Sequence, residues 1–422
     1  MAVGVCRDML VRRSRNHRFP ARTRASRKID FTEKYWGFFV YIGTSSGIRS
    51  DSLQSREVAR ARNYQGVGVR NRRVTRTFAG AIAAVGALLV TPSFAAAEVK
   101  PFGHTCKAEN GVRFCPTAAL TERVPTFDGV PLDADVTLPE TGEGPFPAIV
   151  MIHGWGGSKT DFESSTPAGN GNDTFDYNNN YYAKHGYAVL NYSARGWGNS
   201  CGSEASREGT PGCAKGWVHL ADQRREARDT QYLFGLLADE KIVKPGAIGT
   251  TGISYGGGQS IELAYLKNRI RLPGGEFAPW LSPKGKKMKI AAAYPRWPWS
   301  DLVDALVPNG RFMDTEIAPA HQSYEPFGVE IQSYDAGLYA LGKISNGYYA
   351  PPGEDPEADI SKWFVITNAG EPANPESEEV AKQIYTYHQG YGLSGTPAPM
   401  LIQNGWTDDL FAPEQSLRVY NY

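Results

Sequence analysis

The stretch Gly252-Ile253-Ser254-Tyr255-Gly256 follows directly on the strand-like run 247–251 and leads into a helix-forming segment that extends towards Leu266. A serine flanked by two glycines at a strand-to-helix junction has the spacing of a nucleophile elbow, where a tight bend lifts the hydroxyl clear of the backbone. Gly252 and Gly256 leave room where the chain doubles back. The pattern G-x-S-x-G is common by chance and also fits a Gly-rich loop in an unrelated fold. Its weight comes from what surrounds it.

Working outward, residues 146–152 form a mostly apolar run that ends in His153-Gly154-Trp155-Gly156-Gly157-Ser158. A buried strand feeding a Gly-rich turn suits the carboxyl edge of a parallel sheet. The next strand, 186–192, runs into Ser193-Ala194-Arg195-Gly196-Trp197-Gly198-Asn199-Ser200. Residues 222–238 predict a helix with Ala227, Leu233, Leu236 and Leu237 on its apolar face. Pro245-Gly246 turns the chain into the strand before Ser254, and 289–294 reads as a further strand. Strands alternating with helices predict an α/β fold, a mostly parallel sheet with helices on both faces. Upstream, 123–127 and 132–138 read as an antiparallel lead-in joined through Asp128-Gly129. Residues 295–360 are rich in Pro, Tyr, Trp and Gly and hold no period, as expected of a cap insertion. Beyond them, 363–367 reads as a strand, 377–388 as a helix with Ser377 as its N-cap, and 400–403 as the last strand.

A serine needs a base to take its proton and donors to hold the oxyanion. The N–H of Tyr255, at the amino end of the helix, is the first expected donor, and the turn at Trp155 or Gly156 supplies the second. The acid follows the last strand in Gly405-Trp406-Thr407-Asp408, with Asp408 preferred over its neighbour Asp409. The order Ser, then acid, then His is that of α/β-hydrolases. No histidine follows Asp408; the last is His388 and the sequence ends at Tyr422. The base is therefore expected beyond Tyr422, with His153 shaping the oxyanion turn and His219, His321 and His388 as lesser alternatives. Arg195 is expected to bridge to Asp222 or Asp229, and Trp297 and Trp299 to line an acyl or proline pocket. Packing at the base of the cap would equally explain the two tryptophans.

The net charge of +1 conceals an asymmetry. Residues 1–76 hold 18 Lys/Arg against 5 Asp/Glu, and the rest 27 against 39. The basic front end shows no helical stripe and no nucleic-acid reader motif, so no nucleic-acid partner is expected. Arg72, Arg73 and Arg76 precede the apolar run 78–90 and the small residues up to Ala97, which reads as a secretory signal segment over 72–97. It is the one feature that would touch a membrane, and 1–71 is then a doubtful extension. Cys106/Cys115 and Cys201/Cys213 form two close pairs. Local pairing is the simpler expectation, and disulfides fit an extracytoplasmic, secreted protein. Nothing in the spacing suggests zinc, and no cofactor or metal is implied.

The chain resembles the Xaa-Pro dipeptidyl-peptidase and cocaine-esterase-like group of α/β-hydrolases. The resemblance rests on residues 151–154 with their Gly-rich turn, 195–202, 252–257 and 405–408. It implies Ser254 as nucleophile and Asp408 as acid. It also implies a Tyr hydroxyl near the oxyanion turn, where this chain offers Trp155. Members continue with a catalytic His and a jelly-roll-like β domain, so residues 98–422 are expected to be an incomplete hydrolase domain. The implied substrates are peptides with proline near the amino end, or small carboxylic esters. A chain without its base would instead be a non-enzymatic fragment. The oligomeric state is not legible in the sequence.

Overall fold

The computed structural model describes residues 99–164, 176–308, 330–369 and 375–421. The basic extension, the signal-like segment, Cys6 and His321 lie outside the described residues.

A hairpin of β1 (Lys107–Glu109) and β2 (Val112–Cys115) opens the fold, and the Cys106–Cys115 disulfide closes it. The expected lead-in strand 132–138 is divided. β3 (Val124–Pro125) pairs with β4 (Pro131–Leu132) across the Asp128-Gly129 turn, whereas β5 (Ala134–Pro139) joins the main sheet. The break falls at Asp133, whose buried carboxylate is held by Lys159 Nζ at 2.6 Å. The body continues through β6 (Phe146–Ile152), α1 (Asn179–Lys184), β7 (Ala188–Tyr192), α2 (Glu204–Arg207), α3 (Glu226–Asp239) and β8 (Val243–Ile253). Then come α4 (Tyr255–Leu266), the small hairpin of β9 (Arg269–Arg271) and β10 (Phe277–Pro279), and β11 (Ile290–Arg296).

The main sheet has the order β1-β2-β5-β7-β6-β8-β11. β7, β6, β8 and β11 pair in parallel, and β5 and β2 join through antiparallel ladders. Two successive reversals give β2 the direction of the parallel group, so only β5 and β1 oppose it. Side chains sort by the period of two that a strand imposes. Ala148, Val150 and Ile152 of β6, with Ala188, Leu190 and Tyr192 of β7, meet α3 and α4 residues such as Phe234, Leu237 and Leu263. Met151 and Val189 face the opposite layer, with Ala183 of α1, Phe162 and Tyr177. Apolar side chains leave on both faces, which is why these strands read as continuous apolar runs. This is an α/β-hydrolase fold.

After β11 the chain departs from the expectation of an irregular stretch. α5 (Leu302–Leu306) and α6 (Gln332–Ile344) fall within 295–360, and α7 (Ile360–Asn368), α8 (Pro375–Tyr387) and α9 (Pro413–Asn421) follow. The strand expected at 363–367 is corrected: it is helix α7. Its β-branched and aromatic composition suggests a strand, but Ile360, Trp363 and Ile366 recur every three residues and are buried together. Asp359 caps the helix by accepting from the Lys362 N–H at 3.0 Å. Ser377 is also corrected. It is buried inside α8, which begins at Pro375, a residue suited to a helical first turn. Residues 400–403 form bridges with β11 rather than a full strand, pairing Met400 with Ala293 and Gln403 with Arg296 in parallel. Ile253 and Gln403 both lie level with Arg296, so the chain leaves the sheet at one height on either side of β11.

Candidate active site

β8 ends at Ile253 and α4 begins at Tyr255, so Ser254 alone makes the turn, with φ 56° and ψ −112°. Few residues other than glycine hold such angles, and those that do cluster at functional sites. The surroundings enforce the bend. The Ser254 N–H donates to Arg296 O at 2.9 Å, and its carbonyl accepts from Gly258 N at 2.9 Å. A Cβ at position 256 would stand 2.1 Å from Ile152 O, and one at 258 would stand 2.3 Å from the Trp299 ring. The amino end of α4 is thus wedged between the ends of β6 and β11, and glycine is required at both points. Every residue of α4 is buried.

The turn after β6 lies beside this bend. His153 is fully enclosed; its Nε2 accepts from the Ala194 N–H at 2.9 Å and its Nδ1–H therefore donates to Gly154 O at 2.7 Å. Burial pushes its pKa down to about 4, so the ring is neutral and both nitrogens are committed. His153 shapes this turn and cannot serve as the base. Trp155 packs edge-on against Trp197 and Tyr255, with centroids 4.7 and 5.6 Å away. Its indole N–H donates to Leu338 O of α6 at 2.8 Å. Only the backbone of Trp155 is left for an oxyanion, and no described residue accepts from that N–H. Tyr255 directs its hydroxyl into the core, towards Glu226 Oε1 at 3.1 Å. Its own N–H opens α4, where helical N–H groups lack partners within the helix.

Asp408 lies in the loop after 400–403. Its Oδ1 accepts from the N–H groups of Leu410 and Phe411 at 3.1 and 2.8 Å, while no described residue bonds Oδ2. Burial raises its pKa, outweighing the two N–H bonds that lower it. Asp409 instead accepts from the Tyr334 hydroxyl of α6 at 2.6 Å. The adjacent carboxylates thus have different partners, and Asp408 keeps an oxygen that no described residue bonds, in the loop that follows Gln403.

The remaining four described histidines are engaged elsewhere, His104 with Glu122 O at 2.9 Å and His185 with Tyr181 O at 2.7 Å. His219 contacts Trp217 O at 2.9 Å and Asp355 at 3.3 Å. His388 is fully buried, contacts Leu220 O at 2.9 Å and stands 3.8 Å from Asp222. Its pKa is lowered by burial despite the Asp222 carboxylate. Among the described residues no histidine hydrogen-bonds Ser254. Arg195 is 1 % exposed and bonds Asp229 twice, at 2.7 Å each, and Asp128 at 2.8 and 3.1 Å. It therefore fixes the loop after β7 and is closed to substrate, and Asp222 pairs with Arg224. The Cys201–Cys213 disulfide ties the same loop.

A cavity of about 130 Å³ opens at Ser254, lined by Trp155, Tyr255, Trp299, Trp363 and Phe364 among mostly apolar groups. Trp299 lines it. Trp297 does not: at φ 44° it donates its N–H to Gln403 O, and its ring takes the Arg296 guanidinium. Asp335 of α6, which the sequence reading missed, also lines the cavity. Its spacing held the signal: Asp335, Leu338 and Tyr339 share one helical face, an acid on an otherwise apolar stripe.

The fold, the elbow and the glycine wedge define an α/β-hydrolase with its serine at the end of a central strand. Residues 128–269 match the X-Pro dipeptidyl-peptidase family (S15 family), and the similarity to that family rests on this segment. No curated protein matches the chain. Among solved structures it is similar to an acetyl xylan esterase from Paenibacillus sp. R4, with 14% identity, TM-score 0.40, and coverage of 75% of this chain and 77% of that one. A Pyrococcus horikoshii acylaminoacyl peptidase follows at 16% identity and TM-score 0.39, with 73% and 34% covered. A puromycin-hydrolyzing peptidase of Mycobacterium tuberculosis stands at 15% identity and TM-score 0.36, with 76% and 34% covered. The chain spans about a third of the length of these two peptidases.

Proposed function

We propose that this protein is a secreted serine hydrolase that cleaves acyl bonds through an acyl-serine intermediate, with Xaa-Pro amides as its leading substrates. The observation that carries the reading is the strained Ser254, held on a glycine wedge and opening into an apolar cavity. Ser254 Oγ attacks the carbonyl, and the N–H groups of Tyr255 and Trp155 receive the developing oxyanion. Asp408 uses its free oxygen to orient an imidazole, which takes the serine proton and delivers it to the leaving group. Two strand spacings, roughly 10 Å, separate Ile253 from Gln403, the strand ends that lead to Ser254 and to the Asp408 loop. That imidazole comes from outside the described residues, because each described histidine is committed elsewhere. Helices α5 to α8 wall the cavity as a cap.

The apolar cavity fits an acyl chain as well as a proline ring, so a carboxylic ester is the second reading. The test uses a fluorophosphonate probe followed by peptide mapping. Label on Ser254, absent from Ser254→Ala, supports the nucleophile, and equal labelling of both proteins refutes it. Failure of the intact protein to label supports the non-enzymatic reading. A panel of Xaa-Pro p-nitroanilides against short-chain p-nitrophenyl esters then assigns the substrate class.

A further inference from the structure

Among the described residues, two that line the Ser254 cavity stand at positive φ: Ser254 itself at 56° and Leu220 at 55°. Ala221 follows Leu220 at φ 59°. Left-handed backbone is uncommon for residues with a Cβ, and two in succession persist only where their surroundings hold them. Here buried polar groups do so. The Glu226 carboxyl, fully enclosed at the start of α3, accepts the N–H groups on either side of the pair, His219 at 2.7 Å and Asp222 at 2.9 Å. The enclosed His388 ring donates its Nδ1–H to Leu220 O at 2.9 Å. Ala221 is buried in the core, whereas Leu220 is half-buried and lines the cavity. The same two groups reach the parts of the site that flank Ser254. Glu226 Oε1 accepts the Tyr255 hydroxyl at 3.1 Å, and His388 O accepts the Trp299 indole N–H at 2.9 Å. Leu220 is thus fixed relative to the helix that opens at the nucleophile and to Trp299.

We infer that Leu220 is a specificity-determining residue of the Ser254 site, setting the size of the apolar group that an acyl substrate can place in the cavity. The inference rests on the reading of Ser254 as nucleophile. Other aliphatic lining groups, such as Leu302 and Leu306 of α5, Leu338 of α6 and Ile384 of α8, sit on ordinary helices. A glycine at 220 would carry no strain. What leucine brings instead is a side chain, and that side chain ends in the cavity. A wall free to swing aside would make room for a larger group. A turn held by both flanking N–H groups and by its carbonyl stays in place. An apolar cavity of roughly 150 Å³ takes a benzene ring, so the cavity of about 130 Å³ admits a group of similar size. Leucine exceeds alanine by three carbons, and removing them should enlarge the admitted group by about as many.

The test measures binding of straight-chain primary alcohols, from 1-propanol to 1-decanol, by isothermal titration calorimetry. Each alcohol stands for the apolar part of an acyl group, and binding needs no catalytic base. Each methylene added inside the cavity should tighten binding about fourfold. In the unaltered protein the gain should stop near 1-hexanol. In Leu220→Ala it should continue for about three carbons more, so that 1-nonanol binds at least tenfold tighter than to the unaltered protein. Leu220→Gly should show the same extension. It decides the matter if the alanine variant does not fold, since glycine is at ease at φ 55°. A break at the same alcohol in the unaltered protein and in a folded variant overturns the inference, as does the absence of any break up to 1-decanol in the unaltered protein. Ser254 labelling by fluorophosphonate is the separate control. If it is absent, the hydrolase reading falls and takes the acyl role of Leu220 with it; if it is present with an unmoved break, the role of Leu220 alone is refuted.

Discussion

Replacing Ser254 with glycine should make the protein more stable while abolishing its reactive hydroxyl. The residue sits at φ 56° and ψ −112°, a conformation that costs a non-glycine residue roughly 1–3 kcal/mol. Glycine removes that cost but adds about 0.5–1 kcal/mol of unfolded-state entropy. The net expectation is a gain of about 0.5–2 kcal/mol. The proper reference is Ser254→Ala, which also lacks the hydroxyl but keeps the Cβ and hence the strain. Since Ser254 Oγ bonds no described residue, the alanine variant should match the unaltered protein within about 0.5 kcal/mol. Urea unfolding followed by far-UV circular dichroism gives the comparison. With a slope of about 3 kcal/mol/M, the glycine variant's midpoint should lie roughly 0.2–0.7 M above that of the alanine variant. Neither variant should take up a fluorophosphonate. If Ser254→Gly unfolds at the same urea concentration as Ser254→Ala, or lower, the bend is unstrained and the reasoning fails.

Gly256→Ala should lose about 3 kcal/mol and most Ser254 labelling, because its Cβ would stand 2.1 Å from the Ile152 carbonyl with backbone on both sides; an unchanged labelling rate would show that the wedge yields easily. His153, with its pKa depressed to about 4, binds a proton in the unfolded chain below pH 6.5 but not in the folded one. It therefore contributes stability above pH 6.5 that is lost as pH falls towards 4, up to about 3 kcal/mol. Urea midpoints at pH 7.5 and 4.5 should diverge less in His153→Asn than in the unaltered protein, and an equal divergence would contradict the assignment. Arg195→Met should cost about 3–5 kcal/mol by stranding the buried Asp229. Arg195→Met/Asp229→Leu should recover much of that loss in the same unfolding assay, and a purely additive double variant would mean the pair does not act as a unit.

The elements that read correctly from the sequence are those where one force dominates. β6 was legible to the residue because it is apolar on both faces and bounded by Gly-Pro and His-Gly. The elbow was legible because its glycines answer a local steric demand. Segment 363–367 was misread because its aromatic and β-branched residues favour a strand locally, whereas burial of every third residue and the Asp359 cap make it a helix. Ser377 was misread because a serine before two glutamates looks like a cap; Pro375 had already begun the helix. In the site, Ser254 falls at the strand-to-helix turn that its glycines suggested, and Trp299 lines the cavity beside it. Asp335 and the exclusion of Trp297 were not legible, since both follow from how α6 and the β11 turn pack.

Trp155 joins two parts of the molecule that have no sequence in common. Its ring edge meets Trp197 and Tyr255 beside the nucleophile, while its indole N–H is fixed to Leu338 of α6. Any ligand that lifts or seats that helix must break or strengthen this bond and alter the polarity around the indole. The protein therefore carries its own optical gauge of cavity occupancy, and a change in tryptophan emission on ligand addition, lost in Trp155→Phe, would report helix movement without an attached dye.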